Sequence, residues 1–372
     1  MNPRAFESVK RFPGIHRFLR NGFHRNAAPG ADERLIAREL WGDYFPKYWL
    51  ESRHDWAARY LDAWRVGDGL RKPFPGFHPG IYRDHHPELK GDPAIAFLKA
   101  GRPVGPWMTE VVGGKRKSEG DCDREQRSRK PQTVRAALHL HLHYPEEAGG
   151  LFRALNAANL KPDLFISVTS EGVRVRVKEM MEKHGMKSQC LEVFPNRGRD
   201  LAPFFTGFRE ALLSYEVVGH FHTKQSRHAP SGYVKKWAAF LQKNLIGENG
   251  EMVDIILSRF ATDPMIGIAY PDDPIIVGWF ENYPNGKALL EGMGLPVPEE
   301  QRFFNFPVGS MFWARTAALK PLFELGLGWE DYPEEPIPQD GTILHAMERL
   351  LGVIPGLGGY RTLVTHVPGA GR

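Results

Sequence analysis

The sequence predicts an α/β protein with a mostly parallel sheet, helices on both of its faces, and a mainly helical N-terminal region. From Val134 onward, short apolar runs alternate with helical patterns, which is typical of a parallel sheet with crossover helices. Residues 1–112 lack this alternation and are rich in Trp, Phe, Pro and His. Between the two lies a charged, glycine-containing stretch with few apolar residues, 113–133, which reads as a linker or exposed loop.

Length and composition favour a globular enzyme-sized protein. The 372 residues are enough for one large domain, 134–372, with an appendage, or for two modest domains. The shares of apolar residues, 42%, and of charged residues, 25%, are ordinary for a globular chain. No stretch of eighteen apolar residues and no signal-peptide pattern occurs. The two cysteines, Cys122 and Cys190, favour a reducing compartment. We therefore expect a cytoplasmic protein.

The net charge of +5 is concentrated at the N-terminus. A nucleic-acid binder would spread its basic excess over a folded face, so no nucleic-acid partner is expected. Residues 1–25 combine this charge with aromatic side chains, which fits either a peripheral contact with the inner membrane or a helix docked on the core, although Pro13-Gly14 interrupts a continuous helix. The charged residues of segment 1–30 are Arg4, Glu7, Lys10, Arg11, Arg17, Arg20 and Arg25.

The sequence from Val134 onward predicts a definite order of strands and helices. Strands are predicted at 134–143, 164–168, 190–194, 217–221, 266–270 and 308–313, and helices at 146–159, 173–184, 201–214, 233–246, 252–260 and 341–351. Because parallel sheets bind ligands beyond the carboxyl ends of their strands, the residues that follow each strand are the candidates for chemistry.

Histidines and hydroxyl residues follow the first two strands. His139, His141 and His143 share one face of the first strand, where they would hold a metal, contact a ligand or serve only as hydrogen-bonded strand residues. After the second strand, Thr169 and Ser170 either cap the next helix or touch a ligand.

The third strand ends in a dense polar cluster that opens a helix. It contains two arginines and a glycine that permits a tight turn, which suits an anion such as a diphosphate at the helix N-terminus. The alternative is a helix cap by the aspartate with solvated arginines. The cluster comprises Asn196, Arg197, Gly198, Arg199 and Asp200.

The fourth strand ends in His222, Lys224 and Arg227. Cations at this point would neutralise a departing diphosphate without a divalent metal. Further along, Gly309-Ser310 permit close approach of the backbone to a ligand.

Asp340 precedes the last predicted helix, which contains His345. Asp340 is either the cap of that helix or a general base for an acceptor hydroxyl. The pair Asp272-Asp273 lies beside two prolines and is expected to form a turn.

Five ordered blocks carry a resemblance to a known family. They are HLHLHYPE, PNRGRDLAPFF, VVGHFHTKQS, FPVGSMFWAR and QDGTILHAMERLLG, within 134–352. The region resembles the rhamnan synthesis protein F family, whose members are associated with rhamnose-containing polysaccharides and lipopolysaccharide assembly and are thought to be glycosyltransferases. The order of elements is also similar to GT-A type glycosyltransferases, but His222-Thr223-Lys224 stands where those usually have Asp-x-Asp. Residues 76–107 resemble a short helical segment attached to bacterial glycosyltransferases, with a packing or acceptor-docking role.

The polar residues at the strand ends, together with the resemblance, predict an inverting, metal-independent glycosyltransferase without a cofactor. Its expected donor is a nucleotide sugar, dTDP-L-rhamnose, and its acceptor a growing polysaccharide or lipid-linked glycan. Arg197, Arg199, His222 and Lys224 would hold the diphosphate, Asp340 would be the base, and Asn196 or Asp200 would orient the donor. The missing acidic pair also allows a non-catalytic partner in a polysaccharide-assembly complex. Two Rossmann domains are disfavoured, because residues 1–112 have too few strand–helix repeats.

Overall fold

An eight-stranded sheet organises the part of the chain that the computed structural model describes, namely residues 29–45, 52–67, 70–113, 133–223, 231–338 and 340–371. The strand order is β1-β8-β6-β7-β5-β2-β3-β4. The strands are β1 Glu110–Val112, β2 Ala136–His141, β3 Asp163–Val168, β4 Cys190–Val193, β5 Val217–His222, β6 Ile266–Pro271, β7 Phe312–Arg315 and β8 Arg361–Thr365.

The sheet consists of two parallel blocks joined by one reversed strand. β5, β2, β3 and β4 pair in parallel, as do β1, β8 and β6, whereas β7 lies antiparallel to β5 and β6. The predicted mostly parallel α/β sheet is therefore confirmed, and the antiparallel strand in its middle is an addition that the sequence pattern did not reveal.

Helices cover both faces of the sheet, and further helices form the N-terminal region. A π-helical turn, Pro203–Gly207, directly precedes α7. The helices are α1 Ala31–Glu39, α2 Arg53–Val66, α3 Pro79–His85, α4 Pro93–Lys99, α5 Ala148–Ala157, α6 Glu171–Lys183, α7 Arg209–Leu213, α8 Ser231–Leu245, α9 Glu251–Thr262, α10 Tyr283–Gly292, α11 Lys320–Glu324 and α12 Ile343–Leu357.

Strand β2 is buried along its whole length and divides two hydrophobic cores. Leu138 and Leu140 face one core, and Ala137 faces the other. Because side chains alternate across a strand, His139 shares the face of Ala137, where it packs against Phe204 and Phe208. The alternation in the sequence therefore places His139 fully inside this layer and leaves His141, at the strand end, 7% exposed.

The N-terminal region has its own aromatic core and is attached to the carboxyl edge of the sheet. Asp272, just after β6, is 1% exposed and pairs with Lys72; it also accepts hydrogen bonds from Tyr44 Oη at 2.8 Å and Gly76 N at 2.6 Å. The expected turn at Asp272-Asp273 is thus a buried anchor for this region. Since β1 also pairs with β8, the region contributes a strand to the sheet.

Three other expectations differ from the structure. The helix expected over 201–214 is divided, because a π-helical turn precedes the short helix α7. The strand expected at 308–313 begins at Phe312, because Gly309 and Ser310 adopt positive φ angles of 95° and 59° that end extended structure. Strands β1 and β8 were not predicted. Segment 1–25 and nearly all of the proposed linker, residues 114–132, lie outside the described residues.

Among the described helices, none combines the length and apolar character that crossing a membrane requires.

Candidate functional site

The carboxyl ends of three adjacent parallel strands lie side by side at one edge of the sheet. His141 at the end of β2 lies in register with Ser167 of β3 and with His222 of β5. The chain adds β3 and β4 on one side of β2 and then returns to add β5 on the other side. Such a reversal opens a crevice at the strand ends, which is where open α/β sheets bind ligands.

A continuous chain of hydrogen bonds runs through the buried layer beneath these strand ends. Asp200 Oδ2 lies 3.1 Å from His220 Nε2, and His220 Nδ1 lies 3.0 Å from His139 Nδ1. His139 Nε2 lies 2.8 Å from Ser167 Oγ, which in turn lies 2.8 Å from His141 Nδ1. We call these five groups the histidine chain. It joins the loop after β4 to three strands of the sheet.

Burial sets the charge states within the histidine chain. Burial lowers the pKa of His139 and His220 below the ordinary value, and it lowers the pKa of His141 to about 3 although the Asp200 carboxylate opposes it. Burial alone would raise the pKa of Asp200, but His222 and the hydrogen bond from His220 outweigh it and hold that pKa well below its usual range. At neutral pH the chain therefore consists of neutral imidazoles ending on a carboxylate.

His222 and His143 have separate partners beside the histidine chain. His222 Nε2 donates to the carbonyl oxygen of Gly309 at 2.9 Å and lies 3.8 Å from Asp200 Oδ2. His143 Nδ1 lies 3.1 Å from Thr169 Oγ1. Thr169 is thus a partner of His143, and the capping of helix α6 falls to Ser170, whose Oγ accepts from Val173 N.

The two arginines after β4 have different environments. Arg197 is 21% exposed and donates to the carbonyl oxygens of Tyr332 at 2.6 Å and Glu330 at 3.0 Å, and it also pairs with the carboxylate of Glu330. Arg199 is 44% exposed and has one ion pair, with Glu335 at 3.1 Å. Arg197 therefore secures the segment 330–334, whereas Arg199 is the more accessible cation.

Local geometry explains how the polar turn after β4 faces the crevice. Gly198 has a φ of +73°, and a Cβ there would lie 2.3 Å from the Cβ of Ala202, so only glycine fits. Asp200 follows this turn, and its carboxylate bonds to His220 rather than to the start of the next helix, which removes the expected capping role. Asn196 is exposed on the outer side of the turn.

Asp340 is held on the opposite wall by Asn282. Asn282 Nδ2 donates to Asp340 Oδ1 at 2.6 Å, while Asn282 Oδ1 accepts from Gly341 N at 2.9 Å. The N-cap of α12 is Thr342, so Asp340 does not cap that helix. Its carboxylate is 30% exposed and lies 3.6 Å from the buried guanidinium of Arg349. Asp340 is thus oriented, charge-balanced and accessible, as a general base must be.

A second polar network connects the two walls. Arg349 donates to Glu348 Oε2 at 2.8 Å, and Glu348 Oε1 accepts from Gly309 N at 2.6 Å. The carbonyl oxygen of Gly309 then accepts from His222, so Asp340 and His222 belong to one connected framework. Such a framework fixes the relative positions of the groups that would act on a substrate.

His345 lies in the first turn of α12, close to Asp340 in sequence. Its Nδ1 lies 2.8 Å from Thr342 Oγ1. Burial lowers the pKa of His345, and the charges of Asp340, Arg199, Arg349 and Asp200 also act on it. Charged groups of both the turn after β4 and the loop before α12 are therefore close enough to His345 to act on its pKa.

Backbone strain is concentrated around the crevice. In the described part of the chain, four non-glycine residues have positive φ angles, and Arg199 at 50° and Ser310 at 59° border the crevice. A third, Phe280 at 48°, lies two residues before Asn282 and is 61% exposed. Each such conformation costs about 1–3 kcal/mol and persists at functional sites because the surroundings enforce it.

Two residues that the sequence predicted for the site cannot be located. Lys224 and Arg227 lie outside the described residues. Within the described ranges, no group of three or more His, Cys, Asp or Glu side chains has the geometry to hold a metal ion, and this includes His139, His141 and His143. Sequence reasoning missed Asn282, because nothing in its surroundings marks it as the partner of an aspartate 58 positions away.

A comparison with protein families assigns the chain. A profile of the rhamnan synthesis protein F family matches residues 118–358, which include the histidine chain, the turn after β4 and Asp340. The chain belongs to the rhamnan synthesis protein F family. The expected resemblance is therefore confirmed, and the crevice lies within the part of the chain that defines membership.

Two curated relatives come from two strains of one species. Both are described as uncharacterized protein WxcX, from Xanthomonas campestris pv. campestris strains B100 and ATCC 33913, and each is 26% identical over 375 aligned positions. The alignment covers 89% of this chain but 51% of each relative. The chain thus spans about half the length of the curated relatives it matches.

Proposed function

We propose that this protein is a GT-A-like glycosyltransferase that transfers a nucleotide-activated deoxysugar, rhamnose, to a polysaccharide or lipopolysaccharide acceptor. The observation that carries the proposal is the reversal of strand order beside β2, where the histidine chain ends at His141 and where Arg199 and Asp340 both act on the pKa of His345. Membership in a rhamnan synthesis family supports the sugar. The GT-A-like assignment rests on the reversed strand β7 between two parallel blocks.

The proposed reaction is a single displacement with inversion. The acceptor hydroxyl oxygen forms a bond to the anomeric carbon while the bond from that carbon to the diphosphate oxygen breaks. The electron pair of the broken bond leaves with the nucleoside diphosphate, and the acceptor proton passes to the carboxylate of Asp340. Asn282 and Arg349 keep that carboxylate oriented in the ground state.

Cationic side chains would stabilise the departing diphosphate without a divalent metal. Arg199 is the accessible cation of the turn after β4, and His222 presents its imidazole at the end of β5. We include Lys224 and Arg227 in this role from their sequence positions, two and five residues beyond His222. Arg197 is reassigned from direct contact to support, because its guanidinium is occupied by segment 330–334. Gly309, Ser310 and His345 would approach the donor from the opposite wall.

A non-catalytic glycan-binding partner is the second candidate. It is favoured by His222-Thr223 at a strand end where metal-dependent enzymes of the GT-A type carry acidic residues. Both candidates allow the acceptor glycan to bind, but only the first breaks the bond to the nucleotide.

Peripheral contact of residues 1–25 with a membrane is a further part of the proposal. Loss of membrane-fraction protein on deletion of residues 1–25 would support it, and unchanged partitioning would refute it.

Release of nucleoside diphosphate distinguishes the two candidates. The purified protein is incubated with dTDP-L-rhamnose and with glycan acceptor from a strain that lacks this protein, in the presence of EDTA. The transferase predicts acceptor-dependent release of dTDP and its loss in Asp340→Asn. Glycan binding with no release of dTDP, with or without added Mn²⁺, would favour the non-catalytic partner.

A further inference from the structure

The hydrogen bonds of the histidine chain have only one consistent direction. A neutral imidazole has one ring nitrogen that donates and one that accepts, whereas an ionised carboxylate only accepts. Because Asp200 is ionised, His220 must carry its proton on Nε2, which donates to Asp200 Oδ2. His220 Nδ1 is then an acceptor, so His139 must donate from its Nδ1.

The same rule determines the rest of the chain. With its proton on Nδ1, His139 accepts at Nε2, and the donor there is the hydroxyl of Ser167. The Ser167 oxygen in turn accepts from His141, which must carry its proton on Nδ1. His141 is therefore left with an unprotonated Nε2, and the tautomer is imposed by a carboxylate four hydrogen bonds away.

The free nitrogen lies where a ligand would be expected. His141 ends strand β2, between Ser167 and His222 at the strand ends, and its side chain is 7% exposed. Among the described residues no side chain or backbone donor contacts its Nε2, and this atom is not among those sealed from solvent without a partner. A nearly buried acceptor without a protein donor is costly unless a ligand or water supplies one.

We propose that His141 Nε2 is a dedicated hydrogen-bond acceptor for the uncharged part of the donor substrate, and that His139, Ser167, His220 and Asp200 are positioning residues that fix its tautomer. This inference rests on the proposed nucleotide-sugar site and assigns different parts of the substrate to the cations and to His141. A lone pair repels a phosphate oxygen, so the diphosphate is left to the cations, and His141 takes an O–H of the sugar or an N–H of the base.

The tautomers can be read without any substrate. Long-range ¹H–¹⁵N correlation spectra of protein labelled with ¹⁵N-histidine distinguish protonated from unprotonated ring nitrogens, and single His→Gln variants assign the signals. We expect His141 and His139 protonated on Nδ1 and His220 on Nε2. In Ser167→Ala the signals of His141 and His139 should change, while His220 keeps its tautomer because Asp200 still holds it. His141 protonated on Nε2, or on both nitrogens, in the wild type would overturn the assignment.

Binding then tests the role of the free nitrogen. His141→Gln keeps an acceptor of similar reach, whereas His141→Met has a similar volume and no acceptor of comparable strength. We expect His141→Met to weaken binding of dTDP-L-rhamnose about 10-fold and His141→Gln to weaken it less, since one hydrogen bond is lost. Weakened binding of dTDP as well assigns the contact to the base, and weakened binding of the nucleotide sugar alone assigns it to the sugar.

The outcomes separate this inference from the proposed function. Equal affinities of wild type and His141→Met for both ligands would refute the role of His141 while leaving the nucleotide-sugar site intact. Absence of binding in the wild type would refute the proposed function and with it the substrate contact. The tautomer spectra would in that case still decide whether the positioning chain exists.

Discussion

Two neighbouring arginines offer a matched test of which groups hold the structure and which hold the ligand. Arg197→Ala removes a guanidinium that donates to two backbone carbonyl oxygens of segment 330–334. Arg199→Ala removes one that is 44% exposed and has a single ion pair, with Glu335. The two substitutions have the same chemistry and lie two positions apart, yet the structure predicts opposite effects.

The contacts give the expected magnitudes. A hydrogen bond that involves a charged group contributes about 1.5–3 kcal/mol, but the partner Glu330 is 88% exposed and its ion pair adds little. We therefore expect Arg197→Ala to lower the free energy of unfolding by about 2 kcal/mol and the thermal midpoint by about 2–4 °C. Arg199→Ala should change stability by less than about 1 kcal/mol. It should weaken nucleotide-sugar binding about 10- to 100-fold, through loss of a charge-assisted contact with phosphate.

Thermal unfolding and calorimetric titration with dTDP-L-rhamnose measure both effects on the same samples. Charge-preserving Arg197→Lys and Arg199→Lys variants serve as controls for net charge. The reasoning is refuted if Arg197→Ala unfolds like the wild type, or if Arg199→Ala binds the nucleotide sugar as tightly as the wild type does.

Three further predictions follow from the site. Asp340→Asn should lower kcat about 10²- to 10⁴-fold at unchanged donor affinity, because it removes a general base. The control is Asp331→Asn, which removes a carboxylate that has no role in the proposed reaction. Gly198→Ala should destabilise the protein by more than about 1 kcal/mol, because its φ of +73° and the contact with Ala202 exclude a Cβ. The free energy of unfolding, measured with urea, should fall as the pH drops below about 6.5. Burial lowers the pKa of the histidines in the histidine chain, so the unfolded chain binds protons there that the folded chain does not.

The sign of the pH effect follows from which state takes up the protons. The unfolded state binds more protons than the folded state once the pH is below the ordinary histidine pKa, so stability rises with pH through that window. Asp200 adds to the loss only under strongly acidic conditions, because its folded pKa lies below the ordinary value. Stability that stays constant from neutral to mildly acidic pH would show that these histidines are not buried as neutral groups.

Retained transfer by Asp340→Asn would show that Asp340 is not the general base.

Local patterns sufficed for much of the fold. Strands β2 to β6 begin and end within about two residues of the predicted bounds, because each is a short apolar run followed by polar or turn residues. β1 and β8 escaped prediction because each is short and is stabilised by pairing across more than 250 residues of sequence. Such long-range pairing leaves no periodic signal.

The sequence placed the candidate residues at the ends of the strands but did not reveal their contacts. Polar residues after strands pointed to His141, Asp200 and His222, because carboxyl ends of parallel strands meet at one edge. Whether an arginine faces a ligand or a neighbouring segment depends on the path of a distant loop, so Arg197 looked equivalent to Arg199. Asn282, the partner of Asp340, was missed for the same reason.

The central claim, a metal-independent nucleotide-sugar site in the crevice, is tested most directly by a thermal-shift titration of the full chain. The protein is heated with a panel of nucleotide sugars that includes dTDP-L-rhamnose, once with EDTA and once with Mn²⁺. A ligand present at 100 times its Kd adds about 2.7 kcal/mol of stability, so we predict a raised midpoint with one nucleotide sugar that EDTA does not diminish. No shift with any nucleotide sugar, or a shift that requires Mn²⁺, would contradict the claim.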